Sequence, residues 1–150
     1  MESQLQQMKE RNAQYVARSG MESAASAGIL KGRPFRGGSI AWAREYNEIM
    51  KPLSNYRHHR VVFAELLVAP TPIIIASVYM PFYDTSHRDQ CMLETIDALS
   101  MIDGVISEHP QHYIVIGGDL NYELTGESPF DTHWQSLMSR HNLSACDPLF

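Results

Sequence analysis

Cysteine, long apolar runs and positive charge in the second half of the chain are all scarce. Cys91 and Cys146 are the two cysteines among 150 residues, and their spacing matches no metal-binding or redox pair. A disulfide could still form between them if the fold brings them together. A reduced intracellular setting, nuclear or cytoplasmic, is therefore expected. No window approaches the roughly 18 consecutive apolar residues of a membrane span, and the polar start MESQLQQMKERNAQ predicts no secretory signal. We therefore expect no membrane partner.

The charges are unevenly distributed. The net charge is −5, with ten Lys/Arg against five Asp/Glu in residues 1–60 and two against twelve in residues 61–150. Such a pattern is typical either of an anion-binding rim beside a carboxylate-rich metal site or of an ordinary solvated surface, and both interpretations stay open. The apolar share of 44% and the charged share of 19% are those of a globular protein, and the length suits one domain.

The first third of the chain shows little regular patterning. Residues 2–18 predict a polar helix with a weak apolar stripe, so that 1–31 would form a polar helix and a flexible segment ahead of a domain over 32–150. GRPFRGG predicts a turn that leads into a short strand, SIAWA, at 39–43. Residues 44–59 are expected to be irregular.

The remainder predicts the order strand, strand, helix, strand, helix. RVVFAELLV and PIIIASVYM are β-branched runs joined by a short connector with proline, which favours an antiparallel pair. The apolar side chains of the next segment recur at helical spacing from 88 to 108, and they predict an inner face of Met92, Ile96, Leu99, Ile102 and Ile106. A strand, YIVIGG, follows, and then a helix around 131–141 with Trp134, Leu137 and Met138 inward. The fold class is mixed α/β (α+β).

Two strand ends carry the candidate chemistry. In GGDLN, the glycines permit a sharp turn, and Asp119 and Asn121 present a carboxylate and an amide two residues apart. In extended backbone both would face one phosphate, water or metal ion, although Asp and Asn after glycine are also common turn formers. Tyr79 ends the strand IIIASVY, where its phenol is placed either to meet a phosphate or simply to line the core.

Taken together, SVYMP, an amphipathic helix and VIGGDLN resemble the endonuclease/exonuclease/phosphatase superfamily. GRPFRGGSIAW is similar to the glycine-rich segment in endonuclease domains of non-LTR retrotransposons, which makes that branch the nearest match. The resemblance covers roughly residues 32–121 and continues towards residue 150. It implies a four-layer sandwich of two mainly antiparallel β-sheets flanked by helices, present in part, and hydrolysis of DNA phosphodiester bonds.

The resemblance also implies roles for particular residues. Tyr79 would contact the scissile phosphate, Asp119 would orient the attacking water or bind metal, and Asn121 would hydrogen-bond the phosphate. Arg33 and Arg36 of GRPFRGG are the predicted substrate-binding residues. The expected cofactor is Mg²⁺ (or Mn²⁺) at Asp119, the expected partner is DNA, and a reverse transcriptase would lie on the same full-length polypeptide. The sequence assigns no oligomeric state.

The chain also departs from the family pattern. It shows no strand ending in the Gln-Glu that supplies the main metal ligand, and no terminal Asp-His element. His133 and His141 fall on a predicted helix and are expected at the surface. We therefore expect an internal fragment of the domain with weak or absent metal binding and little hydrolytic activity. Two alternatives stay open: a phosphatase or phosphodiesterase for a small or lipid substrate, and a non-catalytic remnant or binding module.

Overall fold

A computed structural model describes residues 13–18, 38–82, 85–121 and 129–146 of the chain. It has the predicted mixed α/β class, with two short 3-10 turns (Arg44–Tyr46 and Thr85–His87) between regular elements. Neither α-helix of the described ranges combines the length and apolarity needed to span a bilayer. The regular elements in chain order are β1 (Ala13–Arg18), β2 (Ser39–Ala43), β3 (Met50–Pro52), β4 (Val61–Leu66), β5 (Ile73–Tyr79), α1 (Arg88–Glu108), β6 (Tyr113–Asp119) and α2 (Pro129–Arg140).

A four-stranded mixed sheet forms the centre, in the order β3-β4-β5-β6. The predicted antiparallel pairing of β4 with β5 is confirmed, with Val61 opposite Val78 and Leu66 opposite Ile73. β5 and β6 pair in parallel. Parallel neighbours need a crossover connection, and α1 provides it between the two strands.

One face of this sheet packs against the two helices. Phe63 and Ile102 are essentially inaccessible to solvent, and burial of such side chains contributes about 1.5–3 kcal/mol each. Trp134 and Leu137 of α2 face this core as predicted, while Met138 is only half-buried. The other buried members come from β4, from β5 and the residue directly after it, and from α1: Val61, Ile74, Ala76, Val78, Met80, Ala98, Leu99, Val105 and Ile106.

The buried stripe of α1 differs from the predicted one. Ile96 is 37% exposed and Met92 only half-buried, whereas Thr95 and Val105 are buried. Thr95 tolerates burial because its hydroxyl donates to the carbonyl oxygen of Cys91 at 2.8 Å. The expected inner positions of Met92 and Ile96 are therefore wrong, and those of Leu99, Ile102 and Ile106 are confirmed.

The opposite face of the sheet is partly covered by a two-stranded sheet of β1 and β2. Trp42 of β2 packs with Met50 and Ala64, and Ile40, Leu66 and Ile75 surround them. The predicted helix over 2–18 is wrong at Ala13–Arg18, because this segment pairs antiparallel with Ser39–Ala43. A weak apolar stripe gives a helix little to bury, whereas pairing with a strand some 25 residues away satisfies the backbone.

Other expectations for the first part of the chain have mixed outcomes. Residues 2–12 lie outside the described ranges, and the domain boundary at 31/32 stays a prediction. The strand over 39–43 is confirmed. Residues 44–59 are not wholly irregular, since β3 pairs with β4. Its shortness follows from Pro52, which cannot donate to a ladder and so suits the edge of a sheet.

An ionic cluster joins the two helices. Both Asp103 oxygens are engaged: Oδ2 by Nη1 of Arg140 at 2.8 Å, and Oδ1 by Nε2 of His141 at 2.6 Å. His141, expected at the surface, is therefore largely buried, with its side chain 13% exposed, and His133 is half-buried. The hydrogen bond from His141, helped by the Arg140 charge, holds the pKa of Asp103 below its usual value.

We expect Asp103→Asn to lower the free energy of unfolding near neutral pH by about 0.5–1 kcal/mol, because the ion pair with Arg140 is lost. The effect is small because solvent partly screens this pair. The carboxylate has a lower pKa in the folded than in the unfolded chain. Its contribution is thus present above the ordinary aspartate pKa of about 4 and is lost as pH falls through the folded pKa. The difference in free energy of unfolding between wild type and Asp103→Asn, measured by urea unfolding, should decrease from pH 7 to pH 3. A difference that stays constant over this range would contradict the assignment.

Candidate functional site

Tyr79 and Asp119 meet at one corner of the central sheet. They are register partners at the carboxyl ends of the parallel strands β5 and β6, so their side chains leave the sheet on the same face. Tyr79 is 41% exposed and Asp119 is also exposed. Two of the predicted site residues, 40 positions apart in sequence, are therefore brought together on an accessible surface.

Asn121 completes this corner through a tight turn. Its backbone N–H donates to Oδ1 of Asp119 at 3.0 Å, and its side-chain Nδ2 donates to the carbonyl oxygen of Met80 at 2.7 Å. Its φ of 57° is left-handed, so the assumption that Asp119 and Asn121 share an extended segment is wrong. GGDLN therefore forms a turn, one of its two predicted alternatives. The turn places Asn121 in contact with Asp119 at the end of β6 and with Met80 directly after β5.

The two glycines before Asp119 act differently. Gly118 has φ 137°, and a β-carbon there would overlap the backbone of Val78, with its nitrogen at 2.8 Å. Glycine is needed at 118 for both reasons. Gly117 faces open space, with nothing within 4 Å of a β-carbon, and it shares its sheet face with Tyr79 and Asp119.

Arg60 is a residue of this corner that no motif in the sequence indicated. It is buried, its Nη1 donates to the carbonyl oxygen of Tyr79 at 3.1 Å, and its own carbonyl accepts the Tyr79 N–H at 2.9 Å. Its guanidinium also forms an ion pair with Glu94 of α1, with Nε 3.0 Å from Oε2. Arg60 thus connects the end of β5 both to the start of β4 and to α1.

His58 supports the position of Arg60. Its Nδ1 accepts the backbone N–H of Arg60 at 3.1 Å, and its Nε2 lies 3.0 Å from Oδ2 of Asp97. Because Nδ1 is an acceptor, the ring proton of a neutral imidazole lies on Nε2 and is donated to Asp97. The His58 ring also stacks on His59, with centroids 4.6 Å apart. These contacts hold His58 and Arg60 inside the protein, whereas Arg57 is exposed.

Asp119 is the predicted ligand for a metal ion. Mg²⁺ is usually held by one or two carboxylates together with substrate oxygens and water. Asp119 offers one carboxylate, of which one oxygen already accepts the Asn121 N–H. Within the ranges that the structure describes, no three His, Cys, Asp or Glu side chains are grouped to hold a metal ion. Asp119 is thus the predicted ligand that the described residues place at this corner. Arg33 and Arg36 lie outside the described residues.

Comparison with known proteins supports the fold. No protein-family model and no curated protein matches the chain. A solved structure that matches is the human Nocturnin catalytic domain with bound sulfate anion, at 12% identity and a TM-score of 0.61. The match covers 94% of this chain and 53% of that one, so the chain spans about half the length of the solved domain. The likeness confirms a mixed α/β fold similar to that of the Nocturnin catalytic domain, and membership of the endonuclease/exonuclease/phosphatase superfamily and its retrotransposon branch stays a prediction.

The contrast between the adjacent glycines gives a direct test of how Asp119 is positioned. We expect Gly118→Ala to destabilise the chain by about 3 kcal/mol, because the backbone conformation is strained for an L residue and the methyl group meets the Val78 backbone. Gly117→Ala is the matched control and should have little effect. Thermal unfolding of both variants measures the difference, and equal melting temperatures would disprove this account of the turn.

Proposed function

We propose that this corner binds a nucleic-acid phosphodiester, DNA in particular, and forms one side of a hydrolytic site. The observation that supports it best is the register that pairs Tyr79 with Asp119 at the carboxyl ends of two parallel strands. Ligands of open α/β sheets bind outside the carboxyl ends of the strands. A phenol donor and a carboxylate acceptor on one exposed face are the groups needed beside a phosphoryl group and its attacking water.

Each residue has a role that its contacts permit. The exposed Tyr79 hydroxyl donates to a non-bridging phosphate oxygen. Asp119, with Oδ1 fixed by the Asn121 N–H, uses its remaining acceptor capacity to orient a water and take its proton as the water oxygen bonds to phosphorus. The bond from phosphorus to the sugar oxygen then breaks, and this oxygen keeps the electron pair and takes up a proton from solvent. The second amide N–H of Asn121 is a further donor at the same corner.

The cofactor in this proposal comes from the family resemblance. A Mg²⁺ or Mn²⁺ ion near Asp119 would neutralise charge on the phosphoryl oxygens. The described residues supply one ligand for it, so this part of the site needs further groups. Because the described residues supply one ligand, we expect the chain by itself to bind its substrate without efficient turnover.

DNA is favoured over a small phosphorylated molecule by charge. Residues 1–60 carry ten Lys/Arg against five Asp/Glu, of which Arg60 is buried beside Glu94, and Arg33 and Arg36 lie between the glycines of GRPFRGG. Lys and Arg contacts to a run of phosphates release counterions, so such binding weakens steeply with salt. A single phosphate group would make fewer of these contacts and show a shallower dependence on salt.

We expect Tyr79→Phe to weaken oligonucleotide binding by about three- to tenfold, because a hydrogen bond to a charged oxygen contributes on the order of 1 kcal/mol or more. Tyr113→Phe is the matched control: Tyr113 lies on the same face, at the other end of β6, and is 66% exposed. Fluorescence anisotropy with a labelled oligonucleotide at several salt concentrations measures both. Equal losses in the two variants, or salt-independent binding, would argue against the proposed site.

Hydrolysis by the isolated chain is a separate prediction. We expect purified 1–150 to nick supercoiled plasmid little or not at all in Mg²⁺, since one carboxylate holds this strongly hydrated ion weakly. Agarose gels of plasmid incubated with wild type and Asp119→Ala would measure it. Efficient nicking that Asp119→Ala abolishes would show that the ligand set is complete and would refute this prediction.

A further inference from the structure

Phe82 is the most exposed large apolar side chain in the described part of the protein, at 72%. It follows directly on the candidate site, three residues after Tyr79. Single exposed apolar side chains are common on protein surfaces. This one differs from an ordinary surface residue because the backbone that carries it is firmly held.

The segment that leads to Phe82 is fixed by burial and hydrogen bonds. Met80 is fully buried and Pro81 is also buried. The Met80 N–H donates to the carbonyl oxygen of Asp119 at 2.8 Å, and its own carbonyl accepts the side chain of Asn121. The thiol of Cys91 then donates to the carbonyl oxygen of Phe82 at 3.4 Å.

These contacts fix the Phe82 backbone relative to the site. Two peptide units separate Phe82 from Met80, so their Cα atoms lie within about 7 Å of each other. The Met80 carbonyl is in turn bonded to Asn121. The Phe82 ring is thereby exposed to solvent on a backbone segment that is bonded to Asp119 and Asn121 through Met80.

We propose that Phe82 stacks on an unpaired nucleobase next to the bound phosphate, so that the substrate of this site is a single-stranded or locally opened nucleic acid. This inference rests on the proposed phosphodiester function. Every base offers a π-face, and a single exposed aromatic ring is enough to stack on it. Bases within an intact duplex already stack on each other, so the contact requires a base that has left the helix or was never paired.

A lipid surface would ask for a different arrangement. Membrane-surface helices carry a broad apolar face bordered by Lys and Arg. The helix beside Phe82 instead exposes Asp89 and Asp97 within its first three turns, and its exposed large apolar side chains are Leu93 at 68% and Ile96 at 37%. The surroundings thus favour one base on one ring over insertion into lipid.

The test compares a short single-stranded oligonucleotide with an abasic oligomer that has the same sugar-phosphate backbone, using the full chain. We expect Phe82→Ala to lower affinity for the base-bearing oligomer about tenfold, in the range of base–aromatic stacking, and to leave the abasic oligomer unchanged. Phe82→Tyr should keep the affinity and Phe82→Leu should lose it, because stacking needs a ring rather than apolar bulk. Leu93→Ala is the control for removing an exposed apolar side chain.

The outcomes separate this inference from the function on which it rests. If Phe82→Ala leaves binding unchanged while Tyr79→Phe weakens it, stacking is refuted and the phosphate site stands. Equal losses for the two oligomers, or full affinity in Phe82→Leu, also refute stacking. Phe82-dependent binding to phosphatidylcholine vesicles in place of oligonucleotide would assign the ring to lipid. Absence of oligonucleotide binding by the wild type would refute both proposals.

Discussion

The parallel pairing of β5 with β6 is the constraint on which the candidate site depends. The pair is bounded by the bond from Tyr113 N–H to the Pro72 carbonyl at one end and from Met80 N–H to the Asp119 carbonyl at the other. A slip of one residue would turn Asp119 towards the helix-covered face and away from Tyr79. The register is set by alternation, since the even-numbered side chains of both strands, from Ile74 to Val78 and at Ile114 and Ile116, meet the helical core. The packing that stabilises the sheet therefore also decides which residues share the exposed corner.

A buried ion pair between Arg60 and Glu94 connects this corner to α1. Arg60 engages Glu94 of α1 and the carbonyl of Tyr79, while its backbone is bonded by His58. Removing two charges from water is costly, so such a pair is weak evidence for added stability. Its consequence is geometric, because α1 is tied to the end of β5 by directional bonds as well as by apolar contact. A strand end that carries a site residue is thus kept from fraying.

Local patterns were sufficient for those elements that bury a continuous stripe or run. The β-branched runs of β4 and β5, the 21-residue helix α1 and the strand β6 were predicted within about two residues of their observed ends. The failures share a cause in long-range partners. Ala13–Arg18 is a strand because β2 pairs with it, and Arg60 is buried because Glu94, 34 residues later, accepts it. Thr95 faces the core because its hydroxyl finds the Cys91 carbonyl, which a hydrophobic stripe does not reveal. The prediction that Tyr79 and Asp119 share a site rests on the family resemblance, and the parallel register of β5 and β6 is its physical basis.

The turn at GGDLN shows why two readings of the same residues need not compete. From sequence, Asp119 and Asn121 fit either an Asx-turn or a phosphate-binding site. In the structure the Asn121 N–H binds one Asp119 oxygen, its amide binds the Met80 carbonyl, and Gly118 supplies the backbone conformation that lets the strand approach Val78. A carboxylate with one oxygen fixed has its second oxygen aimed by the same contact. Preorganisation of this kind is what an acceptor for a water proton requires, since no reorientation is then needed during reaction. The bond that makes the turn is therefore also the bond that would position Asp119 for chemistry.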